Sequence, residues 1–200
     1  MLWLPDLLNW VGEPGLAATI HREFEEPIAD LKVKEARMAT QEVLKAGYRS
    51  KLLHRAEVAN GTMAFYFERP SQFDFTPGQS ADVTLSNPPE TDSEGNTRTF
   101  SIASSPFENE LMFATRIRDT AFKRSLKKAP IGTDVTIDSA TGSFTLHKNS
   151  AKPAVFLAGG IGITPFLSIV RQADHDRLGH KLSLFYSNRR PQDAPFLEAL

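Results

Sequence analysis

The sequence predicts two folding styles in tandem: an antiparallel β-barrel or sandwich, then the first part of a parallel α/β unit. Three observations predict this. Short strand-length runs separated by turn residues extend from Tyr48 to Leu146. A strand–helix–strand pattern follows Lys152-Pro153. Between its first strand and its helix, AVFLAGGIGITPFLSIVRQA (residues 154–173) places three glycines in four positions.

Residues 1–45 stand apart from both styles. Leu2, Trp3, Leu4, Leu7, Leu8, Trp10 and Val11 form an apolar knot, and a charged stretch with weak helical spacing follows. This segment carries no recognisable chemistry and reads as an extension. Met38, followed by Ala-Thr-Gln, also marks a plausible natural start.

The β-rich stretch comes next. YRSKLLHRAEV, TMAFYFERP, QSADVTLS, TRTFSIAS, LMFATRI, DVTIDS and SFTLH alternate or run apolar over strand lengths. Asn60-Gly61, Pro77-Gly78, Asn87-Pro88-Pro89, Glu94-Gly95-Asn96 and Thr141-Gly142 punctuate them as turns. Several short strands at this spacing suit a barrel or a sandwich. One helix is expected among them, from Ala121 to Lys128, stopped by Pro130.

In the last segment AVFLA and KLSLFYS read as strands. Phe166, Ile169, Val170 and Ala173 make the apolar stripe of a helix between them. Such a unit favours parallel pairing. A further helix is expected from about Ala194.

Composition narrows the chemistry. The chain has 200 residues, 23 basic against 24 acidic, so its bulk charge attracts neither nucleic acid nor anionic lipid. The absence of cysteine rules out disulfides, zinc-thiolate sites and cysteine-held iron–sulfur clusters in this sequence. The five histidines do not fall at metal-ligand spacing, so no metal site is expected. Electron handling therefore requires an organic cofactor. No apolar run approaches the roughly 20 residues of a membrane span. With no signal-peptide pattern either, a cytoplasmic location is the default expectation.

Two stretches carry the functional signal. In the first, Thr164 suits a helix N-cap and Pro165 the first helical position, so the glycines sit just ahead of free helical N–H groups. A bare backbone at a helix start suits an anion such as phosphate. No lysine follows the glycines, as a nucleoside-triphosphate P-loop requires, and Pro165 stands where a third fingerprint glycine belongs. On spacing alone a ligand-free turn remains open. The second stretch is RTFSIASSP, residues 98–106. Alternation sets Arg98, Phe100 and Ile102 on one face and Thr99 and Ser101 on the other. Arginine suits phosphate, an aromatic offers a face to a flat ring, and serine both donates and accepts.

In this order, R-x-F-S in a β-rich region ahead of G-G-x-G-x-T-P in an α/β unit resembles the ferredoxin–NADP⁺ reductase family, over residues 46–200. The resemblance implies an antiparallel flavin-binding β-barrel at 46–150, then the first part of a Rossmann-like parallel α/β domain at 151–200. It implies FAD and NADP, or NAD, as cofactors. Arg98 would contact the flavin pyrophosphate, Phe100 would stack on the flavin or pack beside it, and Ser101 would sit by the hydride-accepting nitrogen as the catalytic group. Thr115, Arg116 and Ile117 would line the next flavin strand. The family has tyrosine at Phe100 and opens the following helix with G-x-x-S, replaced here by Thr120-Ala121-Phe122-Lys123. Lys123 would then add charge at the pyrophosphate. Lys123, Arg124, Lys127 and Lys128 read alternatively as a solvated basic face, or as a dock for an acidic electron acceptor.

Gly159, Gly160, Gly162 and Thr164 would cradle the nicotinamide dinucleotide. Ser187, Arg189 and Arg190 lie where adenine-ribose selectivity resides, and with no acid before Asp193 they favour a 2′-phosphate. The family's later motifs are missing, which implies a natural protein continuing past Leu200. Electrons would leave to a separate acceptor: a ferredoxin-like protein, a quinone, an iron complex or oxygen. A flavin-binding subunit without turnover of its own, and a barrel that has lost its cofactor, are the alternatives.

Overall fold

The computed structural model describes residues 32–34 and 47–200. Residues 32–34 are helical and exposed, and the other readings made for residues 1–45 lie outside the described residues.

Six strands form one antiparallel sheet: β1 (Tyr48–Ala59), β2 (Thr62–Glu68), β3 (Ser80–Leu85), β4 (Thr97–Ser101), β5 (Glu110–Arg116) and β6 (Asp134–Ile137). Their order is β4-β3-β6-β1-β2-β5. Asn60-Gly61 closes the β1–β2 hairpin with Gly61 at φ 64°. Breaks in the β1–β2 register between Leu52 and His54 and between Glu57 and Ala59 bend the sheet. The two edges meet just past β4, where Ile102 bridges Phe113 and the Ala103 N–H donates to Met112 O at 2.8 Å. The sheet is thus barrel-like without a continuous closing ladder.

Alternation fills the interior. Leu52, Phe65, Phe67, Val83, Ile102, Leu111, Phe113, Val135 and Ile137 are all buried in one cluster. Helix α1 (Ala121–Lys128) plugs this cluster with Phe122 and Leu126. Thr120 caps it by accepting from the Lys123 N–H, as its type and place predict.

The second sheet pairs β7 (Ala154–Gly159) with β8 (Leu182–Ser187) in parallel, from Ala154 opposite Leu182 to Gly159 opposite Ser187. Helix α2 (Thr164–His175) connects them. It covers one face, where Ala154, Phe156 and Ala158 pack with Phe166 and Ile169. The other face is bare: Val155, Leu157 and Phe185 are 60%, 73% and 63% exposed. Both sheets and both helices belong to one compact unit, Ala46–Leu200.

Three expectations need correction. SFTLH is not a strand; β3 pairs with β4 from Ser80 to Thr84 and with β6 from Val83 to Leu85. Only the start of β3 remains open, and Thr141 takes it in a single bridge with Ser80. No helix runs from Ala194. Two one-turn 3-10 segments, Pro191–Asp193 and Leu197–Ala199, flank a left-handed Phe196. Pro195 pushes Ala194 into extended backbone, which stops a continuous helix. Thr164 is not an N-cap. A 3-10 turn, Gly160–Ile163, runs straight into α2, so Thr164 is already helical and its hydroxyl donates to Ile161 O at 3.1 Å.

Candidate functional site

In β4, Arg98 lies opposite Val83, Phe100 opposite Ala81 and Ser101 opposite Ser80. Arg98 and Phe100 face α1, as alternation predicts. The Arg98 guanidinium sits 5.2 Å above the Phe122 ring. Phe100 lies 5.9 Å from Phe122 and 6.3 Å from Phe113, so its half-buried ring belongs to the rim of the barrel core. Inside, between Phe65, Phe67, Phe100, Phe113 and Thr115, side chains leave no room for a water molecule. A flat ring system therefore has no place within the barrel and has to lie outside it.

Around the start of α1 positive charge converges. Burial, with repulsion from Arg118 and Arg98, pushes the Lys123 ammonium below its usual range. Its Nζ donates to Arg116 O at 2.8 Å. A carboxylate sits among these groups: Asp92 accepts from Arg98 Nη2 at 2.9 Å and from the Glu94 N–H at 3.0 Å. Burial works against the Asp92 charge, but the Arg98 hydrogen bond, with support from the Glu94 and Ala121 N–H groups, holds the carboxyl below the usual range. A helix start beside an arginine that already holds a carboxylate is chemically suited to a phosphate group. The donor set thus fits the pyrophosphate end of FAD. Arg124, in contrast, is tied to Glu90 at 2.6 Å and to Asp119.

The remaining barrel positions lie on or just past β5. Thr115 is buried opposite Met63, and Arg116 is exposed opposite Thr62. Ile117 packs on the core while its N–H donates to Gly61 O at 2.7 Å.

The glycine turn sits at the carboxyl ends of the parallel strands, the end where open α/β sheets place their ligands. Gly160 requires its residue type, with φ at 52°. A Cβ at Gly159, Gly160 or Gly162 would meet nothing within 4 Å, so the protein's own packing does not demand bare backbone there. Open space at all three positions leaves room for a ligand to approach the main chain. Beside it, Leu157, Ala158, Gly159, Phe185, Tyr186 and Ser187 bound an open cleft of about 480 Å³. The Tyr186 hydroxyl lies 3.1 Å from Gly160 O and 3.0 Å from Pro195 O, tying β8 to the turn. Ser187, Arg189 and Arg190 are exposed at the end of β8.

The loop after β4 grips α2. Ser168 Oγ donates to Ser104 O at 2.6 Å, and Ser105 Oγ donates to Ser168 O at 3.0 Å. All three serines are buried. Further along, Arg171 pairs with Glu108 at 3.1 Å and the His175 ring stacks on Phe107 at 4.2 Å. Ser168→Ala is expected to cost about 1–3 kcal/mol, because the buried Ser104 carbonyl loses its donor. Urea unfolding checks this; a loss below about 0.5 kcal/mol, the range of neutral surface changes, would show that the clamp adds nothing.

The structure thus brings Arg98, Phe100 and Lys123 together around α1. Gly159, Gly160, Gly162, Thr164 and Ser187 gather at the glycine turn and the adjacent end of β8. Sequence reasoning missed Asp92, read Glu94 only as part of a turn, and missed the pairing of Ser104 with Ser168. For the acids the available signal was two carboxylates just ahead of a cationic strand. For the serines there was none, since their partners are distant in sequence.

Known proteins resemble the chain in sequence and in fold. Residues 156–200 match the model of the oxidoreductase NAD-binding domain. Methane monooxygenase component C of Methylosinus trichosporium is 37% identical over 100 residues, covering 49% of this chain and 28% of that protein. The propane 2-monooxygenase reductase component of Mycolicibacterium smegmatis is 28% identical over 144 residues, covering 66% of this chain and 37% of that one. The chain therefore spans about a third of the length of these relatives. Phthalate dioxygenase reductase shares the fold with a TM-score of 0.66 at 24% identity, over 78% of this chain and 48% of that one. Ferredoxin–NADP⁺ reductase from Plasmodium falciparum does so with 0.67 at 16% identity, over 77% and 63%. No helix among the described residues is long and apolar enough to cross a membrane. The chain thus matches an oxidoreductase NAD-binding domain over residues 156–200, is similar over part of its length to reductase components of oxygenases, and shares the fold of ferredoxin–NADP⁺ reductase.

Proposed function

We propose that the chain supplies the FAD-binding domain (46–150) and part of the NAD(P)-binding domain (151–200) of a reductase that draws hydride from NAD(P)H, with residues 1–45 as an extension. One observation carries this reading. The cationic cluster at α1 and the glycine turn belong to one compact unit, in which the loop following Ser101 clamps the helix that follows the turn. FAD bound there would supply the chemistry, accepting hydride and releasing electrons singly. Arg98 and Lys123 hold the pyrophosphate, helped by the N-terminus of α1. Phe100 packs beside the ring, since its own ring is engaged by Phe122 and Phe113. Ser101, at the end of β4, offers a hydroxyl at the reacting edge, and Thr115, Arg116 and Ile117 line the neighbouring strand. Gly159, Gly160, Gly162 and Thr164 let the nicotinamide dinucleotide approach the main chain. Ser187, Arg189 and Arg190 favour NADPH. The relatives named as oxygenase components and oxygenase reductases support an oxygenase partner or ferredoxin-type protein as the separate acceptor.

The test is the visible spectrum of the purified chain with added FAD, the chromophore being identified after denaturation. Saturable FAD uptake is expected, with Arg98→Gln weakening it at least about tenfold, as loss of a charge-assisted bond does. A colourless protein that ignores added FAD overturns the reading. With FAD in place, NADPH is expected to bind more tightly than NADH, and Arg189→Ala to erase the difference.

A further inference from the structure

The chain between β3 and β4 lies along α1 and is fastened to it at two points. Glu90 pairs with Arg124, and the Ser125 hydroxyl reaches Glu90 O at 3.4 Å. Further on, Asp92 and Glu94 both hold Arg98 Nη2, at 2.9 and 3.0 Å. Arg98 Nη1 is satisfied by the same loop, through the carbonyls of Glu94, Gly95 and Thr97 at 3.1, 3.0 and 2.8 Å. The base of the loop is closed by Leu85 N–H to Asn96 O at 2.9 Å and Asn96 Nδ2 to Leu85 O at 2.8 Å. Both terminal nitrogens of Arg98 are thus taken by its own loop. Asp92 lies on Arg98 and the Ala121 N–H, donors that would otherwise meet a phosphate.

We infer that residues 90–96 form an acidic strap that competes with the cofactor's pyrophosphate for Arg98 and the start of α1. Resting on the FAD reading above, the inference adds that loading is gated. The pyrophosphate displaces Asp92 and Glu94 and takes over their cation, while Glu90–Arg124 and the Leu85–Asn96 closure keep the strap tethered. A closed strap lowers apparent affinity by the fraction of molecules whose site is open. It also rejects weakly bound monoanions, because two carboxylates must be displaced together.

The experiment titrates the apo chain with FAD and, separately, with riboflavin, which lacks the phosphates. Wild type is compared with the Asp92→Asn/Glu94→Gln double variant, after thermal unfolding has shown that both are folded. The variant is expected to bind FAD about tenfold more tightly, the size of a site freed from a nine-in-ten closed state, with riboflavin affinity unchanged. Amide hydrogen exchange of residues 90–96 in wild type is expected to speed up when FAD is added. Equal or weaker FAD binding by the variant, or slower exchange on loading, overturns the strap and makes the two acids orienting partners of Arg98. Saturable FAD uptake by wild type in that case leaves the cofactor reading standing. If neither protein takes up FAD, both readings fail together.

Discussion

Gly78→Ala is expected to destabilise the protein by about 3 kcal/mol or more, from positive-φ strain of about 1–3 kcal/mol plus a backbone collision. Gly78 follows Pro77 in the turn that enters β3, closed by the Gln79 N–H on Thr76 O at 3.1 Å. Its φ is 95°, a conformation that side chains rarely adopt. A Cβ there would stand 2.1 Å from the backbone oxygen of Phe144 and 2.9 Å from Ile169 Cδ1. The first contact cannot be relieved by rotating a side chain. Either the turn or the 141–147 segment must move, and the Ile169 contact lies on α2. Against a total stability of about 5–15 kcal/mol the loss is large. Urea unfolding should show a lower midpoint at unchanged slope. Gly61→Ala is the control. It shares a positive φ of 64° but meets open space, so about 1 kcal/mol is expected. Equal losses in the two variants would show that the collision is absorbed and only the dihedral matters.

Phe122→Ala is the second large effect, and it separates packing from binding. Phe122 is 1% exposed and joins α1 to the barrel core. Truncating a buried phenylalanine costs about 3–5 kcal/mol. The same ring supports the Arg98 guanidinium, a contact worth about 0.5–2 kcal/mol. Loss of both lets α1 and Arg98 drift apart, so FAD affinity is expected to fall well below that of Lys127→Ala, whose side chain is exposed on the same helix. Phe122→Leu should recover much of the stability without restoring the cation contact. If Phe122→Ala unfolds more easily yet binds FAD like wild type, α1 and Arg98 do not form the cofactor cradle.

How much of this was legible from sequence depends on the range of the interaction. The β1 and β2 strands, their Asn60-Gly61 hairpin and the Ala121–Lys128 helix were readable because neighbours in sequence decide them. The SFTLH run was misread for the opposite reason. Its pattern suits a strand, but whether an edge is free to receive it depends on β4 and β6. Thr164 and Pro165 look like a helix start, yet a 3-10 turn begins earlier, because Gly160 can take a positive φ and Tyr186 ties its carbonyl to β8.

By itself the sequence determined the two folding styles, the absence of thiol chemistry, and the residue types of the candidate sites. Arg98, Phe100 and Ser101 share a strand through alternation, and the glycines precede a helix through local propensity. Only the tertiary structure decided what these residues meet. It laid Asp92 and Glu94 on Arg98, turned Phe100 toward Phe122, and locked Ser168 to Ser104 across 64 positions of chain. Periodicity and propensity are written along the chain, whereas charge pairing and close packing are set by which distant segments the fold brings together.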